Sequence, residues 1–195
     1  MDNNQKIEDL LCSVPTLDLA FRQLSENNIF PDCIIICSDN LKIQAHKRYL
    51  CAYSTYFESE FGSDIKNRKQ VQIDASLNIV LKLLDFLYTF TIDQDQPMSD
   101  TQELLRLSDM YKFAVLKARM CGLIIGNFTT SNVCDLCTLG RLYQAPLIRR
   151  AGARFIASNL KEVEEKTPDW RKNADPQVIR FVLNWNKTFQ QWRPI

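Results

Sequence analysis

The sequence predicts an α/β (α+β) fold in which a small sheet is capped by helices and followed by an all-α extension, and three features predict it. A β-rich run, Cys33-Ile34-Ile35-Ile36-Cys37, is separated by the polar Ser38-Asp39-Asn40 from Leu41-Lys42-Ile43-Gln44-Ala45, which alternates with period two; the pair reads as a hairpin. From His46 the periodicity becomes helical, with one further short alternating run at Val71-Gln72-Ile73. After a charged, proline-containing loop from Thr91 to Asp100, the pattern stays helical almost to the last residue.

The elements follow in order. Leu10, Val14, Leu17, Phe21 and Leu24 recur at helical spacing, and Pro15 places the helix start near Thr16, so residues 1–16 form a lead and Leu17, Phe21 and Leu24 an apolar edge. Beyond the hairpin, Tyr49, Leu50 and Tyr53 share a helical face. Ser54 is an N-cap candidate for a second short helix that carries Tyr56, Phe57 and Phe61 and closes at Gly62-Ser63-Asp64. A basic loop from Ile65 to Gln70 precedes the short strand, after which Asp74 is a candidate cap. The next helix, Ser76 to about Phe90, is apolar nearly all round through Val80, Leu81, Leu83, Leu84, Leu87 and Tyr88, the pattern of a buried central element. Further helices are expected at Thr101 to Tyr111, Ala114 to Ile125, Ser131 to Tyr143, Ala145 to Ser158 and Pro176 to Trp192. Thr167-Pro168 and Asp175-Pro176 both read as an N-cap with proline at the first helical position.

Composition narrows the function. With 195 residues and 46% hydrophobic content the chain buries a sizeable core. Lys+Arg 24 against Asp+Glu 23 leaves a net charge of +1, which offers no broad attraction to nucleic acid or an anionic membrane, so protein partners are the expectation. Seven cysteines scattered through apolar stretches fit reduced thiols, with no disulfide expected. The opening MDNNQKIEDL is polar and acidic where a secretory leader is basic and then apolar, and the apolar runs fall short of a membrane span; a cytoplasmic or nuclear location is expected.

Candidate chemistry is sparse. Cys134-Asp135-Leu136-Cys137 has the C-x-x-C spacing but no second ligand pair nearby, and reads as core cysteines. His46 is the only histidine and sits after a strand, where a hydrogen-bonded residue at a helix start is expected. No convergent titratable cluster, metal set or cofactor motif is found, so no enzyme activity and no cofactor are expected. Arg141, Arg149, Arg150 and Arg154 read as a solvated helix face. Val178, Phe181, Val182, Trp185, Phe189 and Trp192 give the last helix a wide apolar face, which either docks on the preceding helices or receives a partner through Trp185, Phe189 and Trp192.

Phe30-Pro31-Asp32-Cys33, Ala45-His46-Lys47, Tyr49-Leu50, Ser54, Tyr56-Phe57 and Phe61 together resemble the BTB/POZ signature. Leu84-Asp85-Phe86-Leu87-Tyr88-Thr89 and Leu104-Leu105-Arg106-Leu107-Ser108-Asp109-Met110-Tyr111 resemble its later helices. Asn127, Arg141-Leu142-Tyr143, Phe155-Ile156 and Trp170-Arg171-Lys172 are similar to the 3-box/BACK-like extension of the speckle-type POZ protein group, in which an Asn opens a helix and a Trp-Lys-like pair closes the extension. The resemblance places a BTB/POZ domain at 17–125 and a helical extension at 126–195.

The resemblance implies a homodimeric adaptor that holds a client protein on a cullin scaffold of the cullin-3-type RING ubiquitin ligases; a scaffold or transcription-regulating oligomeriser without cullin is the alternative. It assigns Leu17, Phe21, Leu24, Asp32 and Lys47 to a dimer interface, and Phe61, Asp64 and Ile65 to a cullin-facing loop. The apolar edge of the first helix either meets a second copy or packs on its own core. Asp32 and Lys47 read either as a register-fixing pair or as an exposed surface pair. Cullin-binding relatives commonly carry a hydrophobic-x-Glu motif in this loop, and Phe61 to Gln70 contains no Glu.

Overall fold

The computed structural model describes residues 30–62 and 70–190. It divides into two compact units that meet in sequence between Asp93 and Gln94.

In the first unit, strand β1 (Cys33–Ile36) pairs antiparallel with β2 (Lys42–Ala45) and parallel with β3 (Gln70–Gln72), giving the order β2-β1-β3. In the hairpin Ile35 lies opposite Ile43, and Val71 lies beside Ile35 on the other side. The turn runs through Asn40 in the left-handed region (φ 63), which Asn tolerates better than most residues. Asp39 works in two directions there. Its Oδ1 accepts the Leu41 amide at 3.3 Å, and its Oδ2 accepts the Leu77 amide at 3.0 Å, thirty-eight residues away.

Helix α1 (Lys47–Tyr53) leads into α2 (Thr55–Gly62). The expected cap is present: Ser54 Oγ accepts the Phe57 amide at 3.0 Å. Helix α3 (Leu77–Thr89) is the buried centre expected of it, with Val80, Leu83, Leu84, Phe86 and Leu87 in the core. Leu81 departs from the all-round pattern, since it is 46% exposed. The cap of this helix also differs from expectation. Leu77 is its first residue, and the bond comes from Asp39 in the hairpin turn rather than from Asp74.

The second unit is helical. It comprises α4 (Met98–Met110), α5 (Ala114–Gly126), α6 (Val133–Leu142), α7 (Pro146–Ser158), α8 (Leu160–Lys166), α9 (Trp170–Asn173) and α10 (Pro176–Gln190). Its core gathers Val133, Cys137, Ala153, Ile156, Val163, Trp170, Val178 and Val182. Helices α4 and α6 end without glycine. Lys112 (φ 56) and Gln144 (φ 47) take the left-handed position, and the amides of Phe113 and Ala145 reach back to the carbonyls of Ser108 and Gly140 at 2.9 and 2.7 Å, the Schellman closure.

Two starts differ from the sequence reading. Asn127 caps the end of α5 instead of opening a helix, and the turn into α6 is a reciprocal box: Thr129 Oγ1 accepts the Asn132 amide while Asn132 Oδ1 accepts the Thr129 amide. Thr167 closes α8, a helix the periodicity did not announce, and α9 begins only at Trp170. The second proline-marked start is as expected. Asp175 Oδ1 accepts the Gln177 amide at 2.8 Å, with Pro176 as the first residue of α10. Helix α6 lies close against α7, where a Cβ added at Gly152 would lie 2.1 Å from Cys137 Sγ. Only a residue without a side chain lets the two backbones approach so closely.

Candidate protein-interaction surfaces

The corner where β1 starts and α1 begins is built from Asp32, His46 and Lys47. The Asp32 amide donates to the Ala45 carbonyl at 3.1 Å, continuing the hairpin one residue beyond the strand. Its Oδ1 accepts the Lys47 amide at 2.7 Å, so an exposed carboxylate supplies an acceptor that α1 lacks on its own. The Lys47 side chain, in contrast, is 3% exposed, and its Nζ lies 5.6 Å from the Phe61 ring centroid, within cation–π range. The two residues come together, but the surface-pair reading does not describe them: the charged end of Lys47 is inside the domain.

Burial raises the Cys33 thiol to about 12; the Asp32 carboxylate pushes it further up and Lys47 pulls it down. Cys51 is raised for the same first reason, with Glu58 next. These are not activated thiols, because nucleophilic cysteines have lowered pKa values. His46 shares a 2.7 Å hydrogen bond with Tyr88 Oη through Nδ1, and its ring stands edge-on to Tyr49 and Tyr88. Tyr88, raised to about 12 by burial, is tied at the same point. The trio pins the start of α1 to α3, in line with the expected hydrogen-bonded histidine at a helix start.

Phe61 corrects an expectation. It is fully buried, stacked on Phe57 with centroids 6.0 Å apart, so its ring belongs to the core and does not face a partner. Asp64 and Ile65 lie outside the described residues, as do Leu17, Phe21 and Leu24.

Cys134 and Cys137 are core residues of α6, with thiols raised by burial to about 11 and about 12. The six cysteines among the described residues are free thiols. In α10, Val178 and Val182 are buried against the α7 side of the core, and Trp185 is half-buried against the same cluster and stacked on Phe181 at 5.7 Å. The helix therefore docks over this stretch. The side chains of Phe189 and Trp192 lie outside the described residues.

Sequence reasoning did not find the Arg149–Asp175 contact. Arg149 Nη1 donates to Asp175 Oδ2 at 3.2 Å and to Gln177 Oε1 at 2.9 Å, fastening the start of α10 to α7. Asp175-Pro176 signalled the cap, but nothing in the sequence pointed to an arginine twenty-six residues earlier.

The architecture is thus a hairpin extended by one parallel strand with helices in the same unit, followed in sequence by a helical array. The BTB/POZ domain family model matches residues 21–128, more than half of the chain, and the chain belongs to that family. It is similar to BTB and MATH domain-containing protein 42 of Caenorhabditis elegans, 29% identical over 153 residues that make up 76% of this chain and 37% of that protein. It is similar to BTB/POZ and TAZ domain-containing protein 2 of Arabidopsis thaliana, 29% identical over 190 residues, 87% of this chain and 52% of the relative. Kelch-like protein 21 of Danio rerio is 21% identical over 152 residues, 76% of this chain and 24% of the relative. The chain thus spans from about a quarter to about half of the length of these relatives. It is a protein-interaction module.

Proposed function

We propose that the chain is a homodimeric adaptor that presents a client protein to a cullin scaffold of the cullin-3-type RING ubiquitin ligases, with no catalytic step of its own. The observation that carries this reading is the family match over residues 21–128 with a helical array continuing behind it to Gln190. The stretches matched by the Kelch-like and MATH-containing relatives, 152 and 153 residues, are longer than the family domain alone. The proposed BTB/POZ domain is 17–125 and the extension 126–195. Dimerisation rests on Leu17, Phe21 and Leu24. Each apolar side chain buried contributes about 1.5–3 kcal/mol, and a two-fold interface repeats every contact.

A scaffold that dimerises without a cullin is the second reading, favoured by one feature: the loop from Phe61 to Gln70 has no Glu, and Asn67 stands two residues after Ile65. A cullin counterpart left buried without that acceptor would cost about 1–3 kcal/mol. Titration of the full chain with a cullin-3 N-terminal region, alongside light scattering, separates the readings. A dimer that binds supports the ligase role, and a dimer with no measurable binding removes it and leaves the scaffold. A monomer at micromolar concentration defeats both, and Phe21→Glu is expected to produce one.

A further inference from the structure

Helices α7 and α10 frame a groove of about 380 Å³ whose lining includes Pro146, Arg149, Arg150, Ala153, Val178 and Phe181. Its floor is apolar. Its surroundings are cationic: α7 carries Arg149, Arg150 and Arg154, α10 carries Arg180, and neither helix contains an Asp or Glu. In a chain of net charge +1, these four arginines on two adjacent helices are a strong local excess. Arg150 and Arg154 are exposed and make no ion pair or hydrogen bond with the described residues, whereas three of the exposed cations of α8 and α9 are matched, in Lys166–Glu162, Arg171–Glu164 and Lys172–Asp169. Asp175, at the cap position of α10, is 3% exposed and already bound to Arg149. Arg149 keeps an unused donor, since its buried Nε has no acceptor.

We propose that this groove docks an acidic peptide segment of a partner protein, one that inserts a bulky apolar side chain between Ala153, Val178 and Phe181 and sets carboxylates against Arg150 and Arg154. An apolar recess lined by the unmatched Arg150, with Arg154 one helical turn further on, fits a carboxylate-bearing peptide better than a nucleic acid, whose phosphates would use the arginines and leave the floor empty. The surface goes beyond dimerisation and cullin binding and does not depend on either. Phe181, 38% exposed and stacked on Trp185, is the groove's accessible aromatic wall.

The test is fluorescence anisotropy of the full chain with a short fluorescein-labelled peptide of glutamate interspersed with leucine and phenylalanine. Saturable binding is expected. It should weaken about tenfold in Arg150→Glu and further in Arg150→Glu/Arg154→Glu, and in a peptide whose leucine and phenylalanine are replaced by alanine. Phe181→Ser should weaken it similarly; if that variant melts early, the two charge reversals at exposed positions decide. Absence of saturable binding overturns the proposal, as does binding that neither charge reversal changes. So does a single-stranded oligonucleotide that binds more tightly and displaces the peptide, because that outcome assigns the arginines to nucleic acid.

Discussion

Gly152→Ala is the sharpest probe of how the helical unit is assembled. In an open helix the change adds a methyl group and removes backbone freedom from the unfolded chain, a gain of about 1 kcal/mol. At Gly152 the added Cβ would lie 2.1 Å from Cys137 Sγ, with Val133 Cγ2 and Phe128 Cζ at 3.5 and 3.6 Å. Cys137 and Val133 are fully buried, so the sulfur has no solvent to swing into. Restoring an ordinary contact requires α6 and α7 to part by roughly 1.5 Å. Overpacking of a tight core costs about 1–3 kcal/mol, which exceeds the helix gain. Gly152→Ala should therefore destabilise the chain by about 1–2 kcal/mol, a fall in melting midpoint of roughly 2–8 °C for a protein of this size.

Gly122→Ala supplies the internal control. Gly122 lies within α5, and a Cβ there meets nothing within 4 Å, so the identical substitution should raise stability by up to about 1 kcal/mol. The cause is isolated by Cys137→Ala. Removing the sulfur has its own cost, but in that background Gly152→Ala should become neutral or stabilising, and the cycle should show coupling of about 1 kcal/mol or more between the two positions. Urea denaturation of the four proteins, followed by circular dichroism, measures each difference. If Gly152→Ala stabilises the wild-type chain as Gly122→Ala does, the close approach of α6 and α7 is wrong.

Two further outcomes follow from caps and thiols. Asp39→Ala removes the acceptor for the Leu77 amide and that for the Leu41 amide together, and should lower stability by about 1 kcal/mol, with faster hydrogen exchange at Leu77; Asp39→Asn, which keeps an acceptor, should recover part of it. Stability should also fall in alkali: Cys33 and Cys137 keep their protons to about pH 12 in the folded chain, while in the unfolded chain they ionise near the ordinary 9.0. Below pH 9 both states are protonated and these thiols add no pH dependence. Between 9.0 and about 12 the unfolded chain releases protons that the folded chain holds, so the midpoint drops as pH rises. Cys137→Ala should make that drop shallower, and an equal slope in both proteins would contradict the burial of this thiol.

What the sequence revealed and what it hid divide along the range of the interactions involved. The hairpin was legible because alternation and a polar turn are local, and the α3 core was legible because seven apolar positions of that helix are buried together. Ser54 and Asp175 were legible as caps because each bonds an amide two or three residues on. The cap of α3 was not, because Asp39 reaches it from thirty-eight residues away and the nearby Asp74 offered a local substitute. The Schellman closures at Lys112 and Gln144 were hidden for a different reason. Glycine is the usual sign of a left-handed residue, and here an exposed lysine and glutamine take that conformation, followed by the closing bonds from Phe113 and Ala145.

The candidate interaction residues show the same division at the level of side chains. Asp32 and Lys47 meet through a backbone amide: the exposed Asp32 carboxylate accepts the Lys47 N–H, while the buried Lys47 ammonium lies over the Phe61 ring. The spacing Ala45-His46-Lys47 fixes the start of α1, and that start fixes which way the lysine side chain leaves the backbone. Burying it requires an aromatic floor, which Phe61 supplies from α2, and this is why Phe61 is a core residue although it stands one position before the end of that helix. A sequence pattern reports which residues recur at a site; whether each recurs for folding or for contact depends on the direction of its side chain. For Lys47 and Phe61 that direction joins them to each other inside the domain, while the Asp32 carboxylate stays exposed.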